Sequence, residues 1–360
     1  MTKKILVDAR SLGEKPSGIG MYVYYMVKAL YEYNDFSLSL VTDVALSEEI
    51  LELEKCGIPI YRYGKGMKKN FGLFSYYHFV QQCIHEEKPD IFWEANNLVP
   101  IKLENPYGKL VASIQDMFPL SHPKHYGMIY PHYFKYGMDK TIDCFDAYIY
   151  DSNDTKKEAE KYFPALQGKK SLVSYIIVPR LPKIEEVDNG AFLYVGNLET
   201  RKGTDILLNA YREYRRNGGM RTLRLSGKIR EEAIRKLLAE VSEAVGGIEY
   251  LGYLSEENRN KEYASCHAFI FPSRAEGFGI PVVEVLNYAK PIIATDLDTI
   301  HEVVGECIEY ISLDDQVVKR LADLMLLDAF VVIREDYEKV IQRYLPEIVG
   351  SKMRDYFNEL

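Results

Sequence analysis

The chain is poor in the features that would tie it together covalently or place it in a membrane. It has five cysteines, Cys56, Cys83, Cys144, Cys266 and Cys307. The number is odd, the positions are scattered and no Cys-x-x-Cys occurs, so neither a disulfide framework nor a zinc site is expected, and reduced cytoplasmic thiols fit. No stretch of about 18 uninterrupted apolar residues is present, which excludes a membrane-spanning helix. The opening MTKKILVDARSLG meets charges at once and reads as a first strand rather than a secretory signal. Positive charge is in deficit: 45 Lys and Arg against 53 Asp and Glu leave a net charge of −8, which disfavours bulk binding to nucleic acid. Histidines are few, and the spacings of His122, His125 and His132 make no metal pattern, so a cleft-lining surface segment is expected there.

What is present describes a globular protein. A length of 360 residues suggests two domains, and 47% apolar with 27% charged residues is ordinary for a packed chain. Strand–loop–helix units recur from end to end: KILVDA, SLSLVTD, PDIFWEANN, KLVASIQD and FDAYIYDS in the first half, then AFLYVG, RTLRLSGK, IEYLGYLS, HAFIFPS and KPIIATD in the second. Such alternation implies parallel sheets with helices on both faces. The stretch VSYIIVPRLPKIEEVDNG, rich in Pro and charge, reads as a linker. The domains are therefore drawn as 1–175, 176–340 and a terminal helix over 341–360. Ser47, Ser152 or Asp154, and Thr204 are expected helix caps.

The most informative stretch is HAFIFPSRAEGFGIPVVEVLNYAKPIIATD, residues 267–296. An apolar run ends at Pro272 and Ser273. A loop with Gly277 and Gly279 around Phe278 follows, Ile280 and Pro281 open a helix, and a second apolar run closes the unit. A loop at the carboxyl end of a strand and before a helix is where open α/β sheets bind ligands and where free N–H groups favour anions. Glu276 and Glu284 bracket the glycines. Like charges repel, so Glu276 suits hydroxyls better than phosphate, and Glu284 suits a second hydroxyl-bearing group. A ligand with a sugar, a phosphate and a ribose would satisfy all three features.

This string resembles the donor-binding signature of the retaining glycosyltransferases of family 4, glycosyl transferases group 1, of the bacterial polysaccharide type. The resemblance is densest over 191–305 and patchier over 1–160. It implies the α/β GT-B fold: two Rossmann-like domains, acceptor then donor, with parallel sheets facing across a cleft and a last helix crossing back to the first domain. Glu276 and Glu284 match the family's Glu-x7-Glu pair, which implies sugar contact for Glu276 and ribose contact for Glu284. The N–H groups of Gly277, Phe278, Gly279 and Ile280 would face the sugar and diphosphate. YVGNLETRKG is similar to the second signature, whose cations grip the diphosphate. Lys202 matches it best and Arg201 lies beside it, while Asn197 stands where some members carry another Arg. YLGYLS is similar to the base pocket, which makes Tyr253 and Leu254 candidates there.

In the first half, DARSLGEKPSGIGMY looks like the family's cleft-facing first loop, with Gly18 and Gly20 near donor phosphates or acceptor. Gln115 and Asp116 end KLVASIQD, where many members have His then Asp. Gln can position a sugar but cannot titrate. Asp116 is an acceptor-side candidate or a loop cap. The resemblance further implies a nucleotide diphosphate sugar as donor substrate, a glycan or lipid-linked glycan acceptor, no other cofactor and no metal. No Asp-x-Asp in a cleft-facing loop context argues otherwise. Arg62, Lys65, Lys68 and Lys69 precede Phe71, Leu73, Phe74, Tyr76 and Tyr77, a pairing that suits peripheral contact of a cytoplasmic protein with anionic lipid. A loop feeding a helix with core aromatics is the plainer alternative. A non-catalytic sugar-binding or activating subunit, favoured by Gln115 and Asn197, and a nucleotide-sugar epimerase are the rivals.

Overall fold

The computed structural model describes residues 2–13, 18–43, 47–65, 72–97, 101–185 and 187–360, apart from the side chain of His125. The chain forms two compact units, Met1–Ile177 with Tyr344–Leu360, and Val178–Arg343.

In the first unit the strands are β1 (Lys3–Asp8), β2 (Phe36–Thr42), β3 (Ile60–Arg62), β4 (Ile91–Asn97), β5 (Lys109–Ile114), β6 (Ala147–Tyr150) and β7 (Lys170–Val173). They pair in parallel in the order β3-β2-β1-β4-β5-β6-β7. Helices cover both faces of such a sheet, so its central strands are continuous apolar runs. Ile5, Leu6 and Val7 are fully buried, as are Phe92 and Trp93. Trp93, the single tryptophan, donates its indole N–H to Ser113 Oγ at 2.9 Å, which satisfies its one polar atom inside the core. Ser47 and Ser152 cap their helices by accepting from Ile50 N and Thr155 N. The Pro346–Asn358 helix belongs to this unit. Its Phe357 ring packs edge-on against Phe36 and Trp93, and the Lys3 ammonium donates to the Phe357 carbonyl at 2.8 Å. Gly350 lets that helix approach the Gly18–Glu32 helix, since a Cβ there would lie 2.9 Å from the Ala29 methyl.

The second unit holds β8 (Phe192–Val195), β9 (Leu223–Ser226), β10 (Ile248–Gly252), β11 (Ala268–Phe271), β12 (Ile292–Thr295) and β13 (Glu309–Ile311), parallel in the order β10-β9-β8-β11-β12-β13.

Some local expectations change. A further strand, β7, follows FDAYIYDS, the last unit marked in the first half, and pairs with it. β3, β7 and β13 have only three or four residues and lack the buried apolar run that marks a central strand. Thr204 does not cap the helix it begins. Gly203, with φ of 67°, holds the cap position, and the buried Thr204 hydroxyl instead accepts from Glu199 N at 3.2 Å.

Candidate active site

Strand order explains why two distant motifs meet in the second unit. The order reverses between β8 and β11, so the loops leaving these two strands diverge from a shared point at their carboxyl ends. One loop is Gly196–Gly203 and the other Pro272–Gly279. They are joined by backbone and side chain alike. Arg274 N donates to Arg201 O at 2.8 Å, and its guanidinium reaches Thr200 O at 2.5 Å and both oxygens of Asp205. At Gly203 a Cβ would lie 1.8 Å from the Pro272 carbonyl oxygen, so only glycine allows this approach and this positive φ.

Lys202 and Glu276 therefore come together. The ammonium of Lys202 lies 2.7 and 2.6 Å from the two oxygens of Glu276. Ser273 Oγ donates to one of the same oxygens at 2.5 Å, and Thr299 Oγ1 donates to the Glu276 backbone carbonyl at 3.1 Å. Glu276 is thus a nearly buried, oriented carboxylate with the Lys202 cation beside it. Arg201 faces inward. Its guanidinium donates to Glu199 at 2.7 Å and to the Ala275 carbonyl at 3.1 Å, which braces the two loops. Phe278 is buried, leaving its backbone rather than its ring to any ligand. Gly279 takes φ of 92° before the Ile280–Leu286 helix, where a Cβ would meet Ile300 at 2.8 Å. That helix has only seven residues, which limits its dipole to a local effect of its first N–H groups.

Glu284 sits on that helix, 9% exposed, with both oxygens engaged from the Glu256–Ser265 helix. Arg259 donates to Oε1 at 3.0 Å and Tyr263 to Oε2 at 2.8 Å. Burial, then the adjacent Glu284 charge, pushes the Tyr263 phenol well above its ordinary range, so it stays a donor. Asn197 uses its carbonyl to accept from Tyr194 OH at 2.7 Å. Tyr253 is 58% exposed with Lys228 over its ring at 5.4 Å, and Leu254 beside it is half-buried. Asp296 and Asp298 have Asp-x-Asp spacing, but Asp296 is held by His301 Nε2 at 2.8 Å. Among the described residues no group of three or more His, Cys, Asp or Glu is arranged to hold a metal.

The remaining candidates lie in the first unit, near the carboxyl ends of its strands. Gln115 is buried: its N–H donates to Asn97 Oδ1 at 2.7 Å and its amide reaches the Ala95 carbonyl at 3.4 Å. Asp116 accepts from Phe118 N at 3.1 Å, which is the loop-capping role. Gly18 is exposed at the start of its helix and Gly20 is buried. Beside them lies a cluster that sequence reasoning did not single out. At the reversal between β1 and β4, Arg10 bridges Asp8 and Glu94, the latter at 2.8 Å. Tyr76 OH donates to Asp8 at 2.6 Å and Tyr77 OH to Glu94 at 2.9 Å. Burial pushes the Glu94 carboxyl up to about 8, opposed by Arg10 and assisted by Asp8. This cluster also decides the lipid-contact expectation for Tyr76 and Tyr77, which are core donors. Arg62 is paired with Glu54 through both terminal nitrogens, so it too is withdrawn from that surface. Lys68, Lys69 and Phe71 lie outside the described residues. Phe74 is 55% exposed and Lys65 stands near it.

Arg259, Tyr263, Ser273, Thr299 and Arg274 were also missed. The i,i+4 spacing of Arg259 and Tyr263 was the available signal, because it puts both on one helix face.

Residues 182–329 match the family model of glycosyl transferases group 1. The Escherichia coli O-antigen chain mannosyltransferase B is 25% identical over 327 residues, 84% of this chain and 85% of its own. HepE from Anabaena, solved with UDP-glucose, aligns with a TM-score of 0.73 at 17% identity over 99% of this chain and all of its own. The pneumococcal O-GlcNAc transferase GtfA, solved with UDP and GlcNAc, gives 0.74 at 12% identity over 99% of both. At such identities the structural likeness speaks for the fold, and the fold is GT-B.

Proposed function

We propose that this chain, whose residues 182–329 match the family model of glycosyl transferases group 1, is a retaining glycosyltransferase that moves one sugar from a nucleotide diphosphate sugar to a hydroxyl of a glycan or lipid-linked glycan. The observation that carries the reading is the Lys202–Glu276 pair at the point where the second sheet reverses.

The chemistry needs a hydrogen-bond acceptor for sugar recognition and a cation for the leaving group. In the transfer the bond from the anomeric carbon to the phosphate oxygen breaks, a bond to the acceptor oxygen forms, and the acceptor's hydroxyl proton passes to the departing diphosphate. Negative charge grows on the departing diphosphate. Lys202 stabilises that charge, with the N–H groups of Gly277, Phe278, Gly279 and Ile280 beside it. Glu276, oriented by Ser273, accepts hydrogen bonds from the sugar. Arg201 is a positioning residue in this scheme, because its donors already hold Glu199 and Ala275. Glu284 meets the ribose, and Tyr253 and Leu254 take the base. Gln115 positions the donor sugar, Gly18 and Gly20 stand near the donor phosphates or the acceptor, and Asp116 serves the acceptor side. The cation and the backbone dipoles neutralise the diphosphate without a metal. Lys65 and Phe74 remain for peripheral contact with a membrane surface.

The second reading, a non-catalytic sugar-binding subunit, has one observation in its favour: with Asn197 in place of an Arg and Arg201 turned inward, Lys202 is the single signature cation left for the diphosphate. A thermal-shift panel with UDP, GDP, ADP and dTDP on wild type and Lys202→Ala tests the donor site. A ligand at about a hundred times its Kd adds roughly 2.7 kcal/mol. One nucleotide that stabilises the wild type and not the variant supports it, and turnover of the matching nucleotide sugar with a glycan acceptor separates enzyme from binding subunit. Stabilisation without turnover of any donor favours the subunit.

A further inference from the structure

Between β5 and β6 the chain makes a turn whose tip is apolar. Gly127, with φ of 72°, turns the backbone, and Met128 and Ile129 follow it at 88% and 83% exposure. A single exposed apolar side chain is ordinary. Among the described residues, however, no other adjacent pair of large apolar residues is as exposed. Tyrosines surround the pair. The rings of Tyr126 and Tyr130 stack at 5.9 Å, and Tyr133 lies 6.5 Å from Tyr130. With Met128 and Ile129 these three line one shallow apolar hollow. The Tyr130–Thr141 helix extends the surface. Its Phe134 and Met138 enter the core of the first unit. Ile129, Tyr133, Tyr136 and Lys140 recur at helical spacing on the opposite, exposed side. Charge follows the same pattern. From His122 to Lys140 the sequence has Lys124, Lys135 and Lys140 but only Asp139 as an acid, in a chain of net charge −8. Lys135 takes Asp139 at 3.5 Å, while the exposed Lys124 and Lys140 flank the tip.

We propose that the Met128–Ile129 tip inserts into the headgroup boundary of an anionic lipid bilayer, with its tyrosines at the interface and Lys124 and Lys140 on the lipid headgroups. Each part has a physical reason. The apolar pair gains by leaving water. Tyrosine has an apolar ring and a polar end, which suits it to the boundary between hydrocarbon and water. Cations near an anionic surface add attraction that salt screens. A soluble anionic partner would answer the lysines and leave the exposed apolar pair unexplained. The patch is also placed where a membrane would matter. Burial, then the Asp116 charge, pushes the Tyr130 phenol above its ordinary value, so the foot of the patch stands beside the acceptor-side carboxylate. The inference rests on the reading that the protein meets a membrane surface and a lipid-linked acceptor. It gives that contact a place, the segment after β5, in addition to Lys65 and Phe74. A chain seated by this tip holds Asp116 close to the surface in which a lipid-linked glycan is anchored.

The test is co-sedimentation of the full chain with phosphatidylcholine vesicles, plain or with one lipid in three replaced by phosphatidylglycerol. The wild type should bind the anionic vesicles more tightly than the plain ones. Met128→Ser combined with Ile129→Ser should lower that binding at least about tenfold. Lys124→Gln and Lys140→Gln should each lower it about fivefold on anionic vesicles and leave binding to plain vesicles unchanged. Ile129→Trp keeps the tip apolar and reports on depth. Its emission should shift to the blue on vesicles and be quenched by lipids brominated along their acyl chains, while Trp93, fully buried in the core, stays unquenched. Unchanged binding by the double serine variant overturns the inference, as does an Ile129→Trp emission that brominated lipid leaves untouched. If the double variant instead changes the size of the chain in gel filtration without lipid, the face joins two copies and the inference falls. If Phe74→Ser abolishes vesicle binding while the double variant retains it, the reading of membrane contact stands and this placement of it fails. A wild type that binds neither vesicle overturns both, and leaves the donor site to be judged by the nucleotide panel alone.

Discussion

Lys202 and Glu276 are 74 positions apart, yet the ammonium contacts both oxygens of the carboxylate. Each group is thereby kept from the wrong partner: the lysine from solvent anions, the carboxylate from the repulsion it would exert on a diphosphate. On the proposed function, a donor entering this site separates the pair, taking the sugar hydroxyls to Glu276 and the phosphates to Lys202.

Removing the cation should therefore affect both turnover and capture of the diphosphate. Lys202→Ala is expected to lower kcat by about 10²–10³, the range for deleting one group aimed at developing negative charge. It should also abolish the thermal stabilisation given by the nucleoside diphosphate. Steady-state kinetics with the matched donor checks the first expectation and a melting series the second. Retention of kcat within about threefold would remove Lys202 from the transition state.

Gly203 supplies a prediction about the loops themselves. A methyl group there would sit 1.8 Å from the Pro272 carbonyl oxygen, in a backbone conformation that disfavours side chains. Gly203→Ala should destabilise the chain by roughly 1–2 kcal/mol from the positive φ alone, and by more if the loops separate to relieve the clash. Chemical denaturation measures the loss, and nucleotide binding should fall with it, because the same separation moves Lys202 from Glu276. An unchanged denaturation midpoint would mean that the two loops do not touch in solution.

Glu94 gives a pH dependence of definite sign. Its folded carboxyl titrates near 8 against an ordinary value of 4.5, chiefly because it is buried. The folded state then holds a proton that the unfolded state releases, so stability falls as pH rises from about 4.5 through about 8. Below that window the contribution is fully present. Many other groups titrate over the same range, so the quantity to measure is the difference between wild type and Glu94→Gln. Denaturation midpoints at pH 5 and pH 8.5 should show the wild type losing more stability than the variant across the window. Parallel losses would place an ionised Glu94 beside Arg10 at both pH values.

Much of this architecture was readable because parallel strands buried on both faces announce themselves. ILV in β1, IFW in β4 and AFIF in β11 are uninterrupted apolar runs, and the glycine loop after β11 marks a ligand position by its chemistry alone. The pairing of Lys202 with Glu276 was less readable. Both residues were assigned to one ligand, but their mutual contact follows from strand order, which local patterns do not encode. The Arg259–Glu284 contact spans 25 positions and begins in a helix, EENRNKEYAS, that looks merely solvated. The Asp8–Arg10–Glu94 cluster was hidden for a related reason: its members come from β1, the loop after it and β4, and only the strand order brings them together. Thr204 was misread because glycine in a left-handed conformation replaced it at the cap.

On the proposed function Arg201 and Lys202 are neighbours with different tasks, and their variants should separate cleanly. The two ends of the Arg201 guanidinium face in different directions, one to Glu199 and one to the Ala275 carbonyl just before Glu276. A lysine has the charge but not the planar fork, so it can serve one of these partners and not both. Arg201→Lys should then loosen the loop that carries Glu276, lowering the melting temperature and raising KM for the donor, with kcat reduced less than about tenfold. Lys202→Arg keeps the charge and should retain more turnover than Lys202→Ala, since the leaving group requires a cation at that point more than a particular shape. The decisive comparison is the split between kcat and KM in the two single variants. If Arg201→Lys costs as much kcat as Lys202→Ala while leaving the melting temperature intact, Arg201 reaches the diphosphate itself, and the inward contacts with Glu199 and Ala275 are released when the donor binds.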